Sequence, residues 1–271
     1  MSSRRAQAIE RGAGGAPLRG VAGGQSAGGG RGAAPVPAAG DPFRRPVPDI
    51  PQAALYWDRR YAADERIWGD GPSELARLAV ARLRPHAAPE LSVLDAGCAY
   101  GRDSRYLAAE LGCRVLGLDP SPAAIAAARK ARSAGLEVEL VAGDLGSLAS
   151  DPDHAGPYDV AFVCNVYHLL GPIGRREFTA ALAAAVRPGG LLFLSTLSPR
   201  DPQHYAVGEP VSGEERSWVE HVYLHFVTAE ELARDFAAFE VLDLEERSYD
   251  ETQASGQLHR HASWFLEGRR R

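Results

Sequence analysis

The stretch VLDAGCAYGRDS, Val93 to Ser104, decides the fold of this chain. Its first four residues suit a buried strand, and they run directly into Gly-Cys-Ala-Tyr-Gly and then into a charged, helix-like segment. A strand that ends in an acid and two glycines is typical of a backbone that approaches a ligand closely, because glycine places no Cβ in the way. The stretch therefore predicts a ligand site immediately after an interior strand.

Helix-like and strand-like segments alternate on both sides of this stretch. Short continuous apolar runs separated by helices are typical of parallel strands that are covered on both faces. Two strand-like segments at the C-terminal end, EVLDLEERS and HASWFLEG, are expected to form an antiparallel edge pair. The sequence thus predicts an α/β fold with a doubly wound, Rossmann-like, seven-stranded and mostly parallel sheet.

Local signals mark the ends of several helices. Ser73 is expected to cap the helix that begins in ELARLAVARL, and TAEE, starting at Thr228, fits a capping box. Gly112 suits the position just after a helix. Residues 199–222 are polar and contain several prolines and glycines, which predicts an irregular segment.

Charge is distributed unevenly along the 271 residues. Residues 1–45 hold seven arginines against Glu10 and Asp41, whereas the whole chain has a net charge of -5. The acidic remainder argues against nonspecific nucleic-acid binding, which needs a basic face. The sequence contains no run of about 18 apolar residues, so we expect no membrane-spanning helix. The three cysteines form no CxxC pair, which is typical of reduced thiols in a cytoplasmic protein.

The N-terminal segment differs in composition from the rest. Eleven of the 29 glycines fall in the first 40 positions, where large apolar side chains are few. Such a segment cannot offset its ordering entropy, so we expect disorder. The predicted organisation is a disordered extension over 1–50 and one domain over 51–271, which comprises an N-terminal lid segment (51–85), a ligand-binding core (90–200) and a substrate-side insertion with a C-terminal hairpin (201–271).

Two ligand classes suit a glycine turn at the carboxyl end of a strand, namely a dinucleotide and S-adenosylmethionine. Of the three glycines in the dinucleotide pattern G-x-G-x-x-G, this stretch has only the first, Gly97. Ala99 and Arg102 occupy the other two positions. The pattern D-x-G-x-G-x-G is met by Asp95, Gly97 and Gly101, with Ala99 in place of the middle glycine. The stretch therefore resembles the first motif of class I S-adenosylmethionine-dependent methyltransferases.

Later segments extend this resemblance over residues 90–200. It implies that Asp119, which ends the second strand, accepts hydrogen bonds from both ribose hydroxyls. It also implies adenine contacts from the Asp144 carboxylate and the Leu145 backbone N–H, and YDVAFVCNVYHLL resembles the fourth-strand motif that faces the methyl donor. The implied cofactor-binding residues are Asp95, Gly97, Cys98, Ala99, Gly101, Asp119, Pro120, Asp144, Leu145 and Asn165.

The segments GCAYGRDSRYLA, WDRRYAADERIWG and FVTAEEL resemble bacterial small-molecule methyltransferases of the tellurite-resistance and thiopurine-methyltransferase-like group. This resemblance implies methyl transfer to a small-molecule acceptor by in-line displacement, with S-adenosylhomocysteine as product. A general base is needed only if the acceptor is an alcohol, phenol or ammonium, because a thiolate or selenolate is already nucleophilic. The acceptor atom and the oligomeric state stay open.

Aromatic residues and histidines supply the candidates for the acceptor side. The aromatics before Ser73 could form a lid over the donor, or they could only pack that segment on the core. Acceptor contacts are expected from Tyr56, Trp57, Tyr61, Trp68, Arg102, His259 and Trp264. The candidate catalytic residues are His168, His225 and His261.

A metal site is the weaker interpretation of the histidines. His259 and His261 lie two apart, so a strand places both on one face, and His221 and His225 could complete a zinc or iron site. No cysteine joins them, and two of the four lie in irregular segments. We therefore expect hydrogen-bonded or substrate-facing histidines and no metal.

Two other functions compete with small-molecule methyl transfer. One is a non-catalytic scaffold that binds S-adenosylmethionine. A scaffold does not need a cavity lined by aromatic residues and histidines, which disfavours this function. The other is a nucleic-acid or protein methyltransferase recruited by the basic tail, which the acidic body and NVYH in place of an NPPY-like motif disfavour. The expectation is a cytoplasmic enzyme with a small-molecule substrate, without membrane or nucleic-acid partners.

Overall fold

The structure, a computed structural model, describes residues 50–131 and 134–271. The disorder predicted over residues 1–50 lies outside the described residues, apart from Ile50. The strands are β1 (Ser92–Ala96), β2 (Arg114–Asp119), β3 (Val138–Ala142), β4 (Tyr158–Cys164), β5 (Val186–Leu197), β6 (Glu209–Pro210), β7 (Ser217–Val219), β8 (Tyr223–His225), β9 (Phe239–Thr252) and β10 (Leu258–Arg270). The α-helices are α1 (Ile50–Ala63), α2 (Glu74–Leu83), α3 (Arg102–Leu111), α4 (Pro122–Lys130), α5 (Leu145–Leu148), α6 (Pro172–Ala185) and α7 (Ala229–Asp235).

Seven strands form one sheet in the order β3-β2-β1-β4-β5-β10-β9. The five strands from β3 to β5 pair in parallel, whereas β10 is antiparallel to both β5 and β9. The predicted doubly wound sheet with an antiparallel edge pair is confirmed. Strand order reverses between β1 and β4, and open sheets of this kind bind ligands beyond the carboxyl ends of the strands at that point.

Both faces of the sheet are covered, as the continuous apolar runs of the strands require. Val93 of β1 packs in a cluster with Leu75 of α2 and Leu107 of α3. The next residue, Leu94, belongs to a second cluster that includes Leu182 of α6. The alternation of side chains along β1 thus divides the core between two helical layers.

The predicted helix ends are confirmed. The Ser73 hydroxyl accepts a hydrogen bond from the Ala76 N–H at 3.0 Å, and Thr228 and Glu231 form a reciprocal capping box at the start of α7. Gly112 ends α3 in the left-handed region, with φ +61°. These signals depend on residues close in sequence, which is why the sequence predicts them well.

The segment over 199–222 is less irregular than predicted. It contributes to a small antiparallel sheet in which β7 pairs with both β6 and β8. Its strands are two or three residues long, too short to show an alternating pattern in the sequence. None of the helices in the described ranges is long and apolar enough to cross a membrane.

Candidate functional site

A cavity of about 530 Å³ lies beside the carboxyl ends of β1 and β4. Its walls come from the turn after β1, from α1, from the residues after β4 and from the β9–β10 hairpin. The predicted site residues that line it are Tyr56, Trp57, Tyr61, Trp68, Asp95, Gly97, Cys98, Ala99, Arg102, Asp119, Pro120, Asn165, His168, His259 and His261. The fold thus gathers residues that are up to about 200 positions apart in the sequence.

The turn after β1 depends on left-handed backbone at three positions. Gly97 has φ +86°, Ala99 φ +50° and Gly101 φ +73°. A Cβ on Gly97 would overlap Cγ2 of Val166, so only glycine fits there without a shift. Ala99 adopts a conformation that costs alanine about 1–2 kcal/mol. This strained turn lies directly against the cavity.

Two buried carboxylates stand beside this turn. Asp95 accepts a hydrogen bond from the Ser104 hydroxyl at 2.6 Å, and burial raises the pKa of Asp95 to about 8. Asp119 accepts from the Ala99 N–H at 2.8 Å through one oxygen and from the Ser121 N–H at 2.9 Å through the other. Burial also raises the pKa of Asp119. Both oxygens of Asp119 are held in place and keep a lone pair for a further donor.

Aromatic side chains of α1 and the following turn form a roof over the cavity. The ring of Trp57 lies 5.9 Å from that of Tyr61 and 6.2 Å from that of Trp68, measured between centroids. The indole Nε1 of Trp57 is buried and has no hydrogen-bond partner within the described residues. Asp58 holds α1 to the start of α4, because it accepts from the Ser121 hydroxyl at 2.7 Å and the Ala123 N–H at 2.8 Å.

His168 lines the cavity as a neutral ring. Burial lowers the pKa of His168 to about 3. Its Nδ1 lies 3.4 Å from the backbone N of Leu197, which donates to it. The proton of the neutral ring is therefore on Nε2, and that atom is a hydrogen-bond donor.

Three further imidazoles stack at the same end of the cavity. The ring of His204 lies parallel to that of His261, with centroids 5.4 Å apart, and 6.1 Å from that of His259. Asp201, which is 3% exposed, stands behind the stack with one oxygen 2.9 Å from Nδ1 of His204 and the other 3.4 Å from Nδ1 of His261. Sequence reasoning missed Asp201 and His204. The signal was the stretch Asp201-Pro-Gln-His204 just after β5, at the carboxyl edge where sites form.

Arg102 lines the cavity with its charge already paired. Its guanidinium donates to the Trp68 carbonyl at 2.8 Å and to a Glu251 carboxylate oxygen at 2.5 Å. These bonds connect the start of α3 to Trp68, in the turn that follows α1, and to Glu251 in β9. An acceptor contact from Arg102 stays a prediction.

Two of the predicted site residues, His225 and Trp264, do not line the cavity. His225 lies outside the cavity lining, with Nδ1 2.8 Å from the Ser217 hydroxyl, and burial lowers its pKa to about 4. Trp264 also lies outside, and its indole N–H donates to the Val227 carbonyl at 2.9 Å. Successive side chains of a strand point to opposite faces of the sheet, and this alternation turns both residues away from the cavity. Leu224 lines the cavity and its neighbour His225 does not, and Trp264 has the opposite parity to His259 and His261 on β10.

Three predicted cofactor residues also lie outside the lining. Gly101 precedes α3 as its N-cap. Asp144 is exposed and accepts from the Ser147 N–H at 2.8 Å as the N-cap of α5, while Leu145 packs in the core. The adenine contacts of Asp144 and Leu145 stay predictions.

Comparison with known proteins gives the family. A family model described as a methyltransferase domain matches residues 93–190. A ubiquinone biosynthesis O-methyltransferase of Methylobacterium sp. (strain 4-46) is 32% identical over 67% of this chain and 75% of that protein. The protein of the same name from Bordetella avium is 31% identical over 70% of this chain and 80% of its own length. The protein of the same name from Methylocella silvestris is 32% identical over 63% of this chain. The matched region spans only 64% of the length of that relative.

Solved structures agree on the fold. A structure from work on the conversion of a disulfide bond into a thioacetal group during echinomycin biosynthesis has a TM-score of 0.61 and 25% identity over 80% of this chain and 89% of that one. TehB from Haemophilus influenzae has a TM-score of 0.53 and 18% identity over 71% of this chain and 62% of its own, which shows a common fold. Together with the glycine turn and the two acids beside it, these relatives place the chain in the class I S-adenosylmethionine-dependent methyltransferases.

Proposed function

We propose that this enzyme methylates a hydroxyl group of a small aromatic acceptor that binds beneath α1, between the glycine turn and the histidines. One observation carries the proposal: a single cavity contains the motif residues Asp95 and Asp119, an aromatic roof and a histidine cluster. Its volume of about 530 Å³ lies in the range of small-molecule sites, roughly 300–1,000 Å³. A polymer would have to displace α1, which Asp58 fastens to α4.

The donor lies at the β1 end of the cavity in this proposal. Asp119 accepts hydrogen bonds from the ribose hydroxyls through lone pairs that the backbone donors leave free. The turn from Gly97 to Ala99 passes along the amino-acid part of the cofactor. Asn165, with φ +57°, follows β4 and borders the methyl group. Asp95 supports this arrangement from below through Ser104.

The acceptor lies under the aromatic roof in this proposal. Flat side chains such as Trp57 and Trp68 favour a planar ligand, because aromatic rings stack with offset or edge contacts. His168 offers an N–H donor to an oxygen, since its proton is on Nε2. The names of the O-methyltransferase relatives support oxygen as the methyl acceptor.

The chemical step is an in-line displacement at the sulfonium methyl. The acceptor oxygen forms a bond to the methyl carbon, and the bond from that carbon to sulfur breaks with its electron pair going to sulfur. The sulfonium is already reactive, so the protein mainly orients the two reactants and keeps water out. His168 positions the oxygen, and the proton that the hydroxyl loses leaves towards the histidine cluster or water.

Sulfur is the second candidate acceptor atom. The structure from echinomycin biosynthesis concerns sulfur chemistry and is 25% identical to this chain. A thiolate would need no base, and the neutral histidines would then only shape the cavity.

Labelled methyl transfer tests the proposal. The full chain is incubated with S-adenosylmethionine carrying a labelled methyl group and with matched phenol, catechol, thiol, selenol and amine acceptors. We expect labelled methyl ethers from phenolic acceptors, and a loss of at least tenfold in kcat/KM for His168→Ala with partial recovery in His168→Gln. Methyl transfer to thiols and to no other acceptor would show that the acceptor atom is sulfur and would contradict the proposed oxygen acceptor. Cofactor binding without transfer to any acceptor would favour the scaffold function.

A further inference from the structure

We propose that Asp201, His204 and His261 bind a divalent transition-metal ion at the acceptor end of the cavity. Each residue can offer one ligand atom such that all three atoms lie within 4.8 Å of one another. Both histidines line the cavity, whereas Asp201 stands behind them, so an ion here would be open to a bound molecule.

The distances within the cluster suit a first-row metal ion. Donor atoms held about 2.0–2.1 Å from a tetrahedral ion lie roughly 3.4 Å from one another. The Asp201 carboxylate oxygens lie 3.4 Å from Nδ1 of His261 and 2.9 Å from Nδ1 of His204, and the second contact is a hydrogen bond that the ion would replace. Because backbone hydrogen bonds hold Asp201, the two imidazoles would have to turn towards it to place three ligand atoms around one ion.

Unpaired buried nitrogens are the second observation. His261 is 7% exposed, and its Nδ1 makes no hydrogen bond within the described residues although Asp201 is near. Nε2 of His259, in the adjacent ring, is also buried and unpaired among those residues. Such atoms are rare in folded proteins, because a buried polar atom without a partner has lost its hydrogen bonds to water and gained none in return. A cation supplies the partner that the Nδ1 of His261 lacks.

The carboxylate is held as a metal ligand needs to be. Asp201 accepts hydrogen bonds from three backbone N–H groups, those of Gln203, His204 and Ala262, at 2.8–3.1 Å. These bonds fix the orientation of both oxygens. Two of them fall on Oδ1, so the lone pair that remains for an ion is on Oδ2, the oxygen that lies 3.4 Å from Nδ1 of His261. Hydrogen-bonded carboxylates of this kind are common in metal sites, where surrounding groups orient the ligands.

The ligand set selects the class of ion. Two imidazoles and one carboxylate suit Zn²⁺, Fe²⁺, Co²⁺ or Ni²⁺, whereas Mg²⁺ and Ca²⁺ prefer oxygen ligands alone. Three protein ligands leave a position on the cavity side for water or for an acceptor oxygen. This arrangement is typical of catalytic rather than structural sites.

The ion has a chemical role if the proposed function is correct, and this part of the inference rests on it. An acceptor hydroxyl bound to a divalent ion loses its proton more readily, because the positive charge stabilises the oxyanion. That proton would pass to water, and the oxyanion would then attack the methyl carbon. The acceptor class narrows to phenols with a second oxygen donor, such as catechols, which can chelate the ion.

Metal binding is tested directly on the tag-free full chain after treatment with a chelator. Zn²⁺ is titrated by calorimetry, and Co²⁺ is followed by its visible absorption. We expect one ion per chain, with at least 100-fold weaker binding in His204→Gln and in His261→Gln. His204 is the first variant to make, because its side chain is 27% exposed and we expect its substitution to leave the fold intact. His86→Gln, an exposed histidine outside the cavity lining, is the matched control and should bind as the native chain does.

Two outcomes would overturn the inference: no saturable binding by the native chain, or equal binding by His204→Gln. In either case the cluster is a hydrogen-bonded triad around Asp201. Labelled methyl transfer is measured separately on chelator-treated and Zn²⁺-loaded protein. Metal binding without transfer to any acceptor would defeat the proposed function and leave the ion site standing, whereas transfer without metal binding would do the reverse.

Discussion

Ala99 shows at the scale of one residue where the sequence pattern and the backbone disagree. The family pattern has glycine at this position, and the backbone has the positive φ, +50°, that glycine adopts freely. The N–H of Ala99 nevertheless reaches Asp119 at 2.8 Å. The hydrogen bond therefore stabilises a conformation that alanine itself disfavours.

Ala99→Gly should raise the free energy of unfolding by up to about 1 kcal/mol. Relief of the left-handed alanine outweighs the extra entropy of glycine in the unfolded chain. Urea unfolding of the purified variants measures the change. Ala149→Gly, at an exposed position with φ -61°, is the control and should lower stability by roughly 0.5–1 kcal/mol. A loss of stability in Ala99→Gly would show that the turn carries no strain.

Gly97→Ala should lower the free energy of unfolding by about 2–4 kcal/mol, since it adds both strain at φ +86° and overlap with Val166. The double variant with Val166→Ala separates these two causes. It should recover the steric part of the loss and keep the backbone part. Thermal or urea unfolding of all three chains would refute this if Gly97→Ala were as stable as the native chain.

Among the elements, the caps and the glycine turn could be predicted from neighbours in the sequence, but the faces of the short strands could not. Periodicity on β10 groups His259 with His261 and places Trp264 on the other face, so this separation could have been predicted from the sequence. The pairing of Asp201 with His261 could not, because it joins a loop after β5 to a strand about 60 residues later. Contacts of this kind follow from sheet order, which local patterns do not encode.

Helix α1 closes the cavity, and Asp58 fastens it to the start of α4 with two hydrogen bonds. Asp58→Ala should therefore loosen α1 while the sheet stays intact. We expect roughly tenfold faster amide hydrogen exchange over residues 53–63 and faster dissociation of S-adenosylhomocysteine. Asp64→Ala is the control, since the hydrogen bond that this exposed carboxylate makes within the described residues comes from the nearby Arg66 N–H. Unchanged exchange in Asp58→Ala would mean that aromatic packing alone holds the helix.

For the whole molecule, the cofactor end of the cavity concentrates buried acids. Burial raises the pKa of Asp95 to about 8, and it also raises the pKa values of Asp103 and Asp119. A cofactor with a sulfonium and an ammonium group offsets the cost of ionising them. The fold was predictable because it follows from alternating segments, whereas this charge arrangement follows from burial that only the folded chain shows.

The stability of the cofactor-free protein should depend on the protonation of Asp95. The folded pKa is about 8 and that of an unfolded Asp is about 3.9, so the folded state binds the proton more tightly. The contribution of protonated Asp95 to the free energy of unfolding is fully present below about pH 4, and it is lost as the pH rises towards 8. Asp95→Asn should remove this loss and be more stable than the native chain at pH 8 by about 1 kcal/mol or more.

Urea unfolding between pH 4 and 8 measures this dependence. Asp153→Asn, an exposed acid, should keep the slope of the native chain. Parallel curves for Asp95→Asn and the native protein would show that Asp95 is ionised throughout this range.

Isothermal titration of the full chain with S-adenosylhomocysteine tests the cofactor site most directly. Native protein and Asp153→Asn should bind one molecule per chain with equal affinity. Asp119→Ala should bind at least about 100-fold more weakly, because two hydrogen bonds to a charged group contribute about 1.5–3 kcal/mol each. The absence of heat with the native chain, or full affinity in a folded Asp119→Ala variant, would contradict the placement of the cofactor between the glycine turn and Asp119.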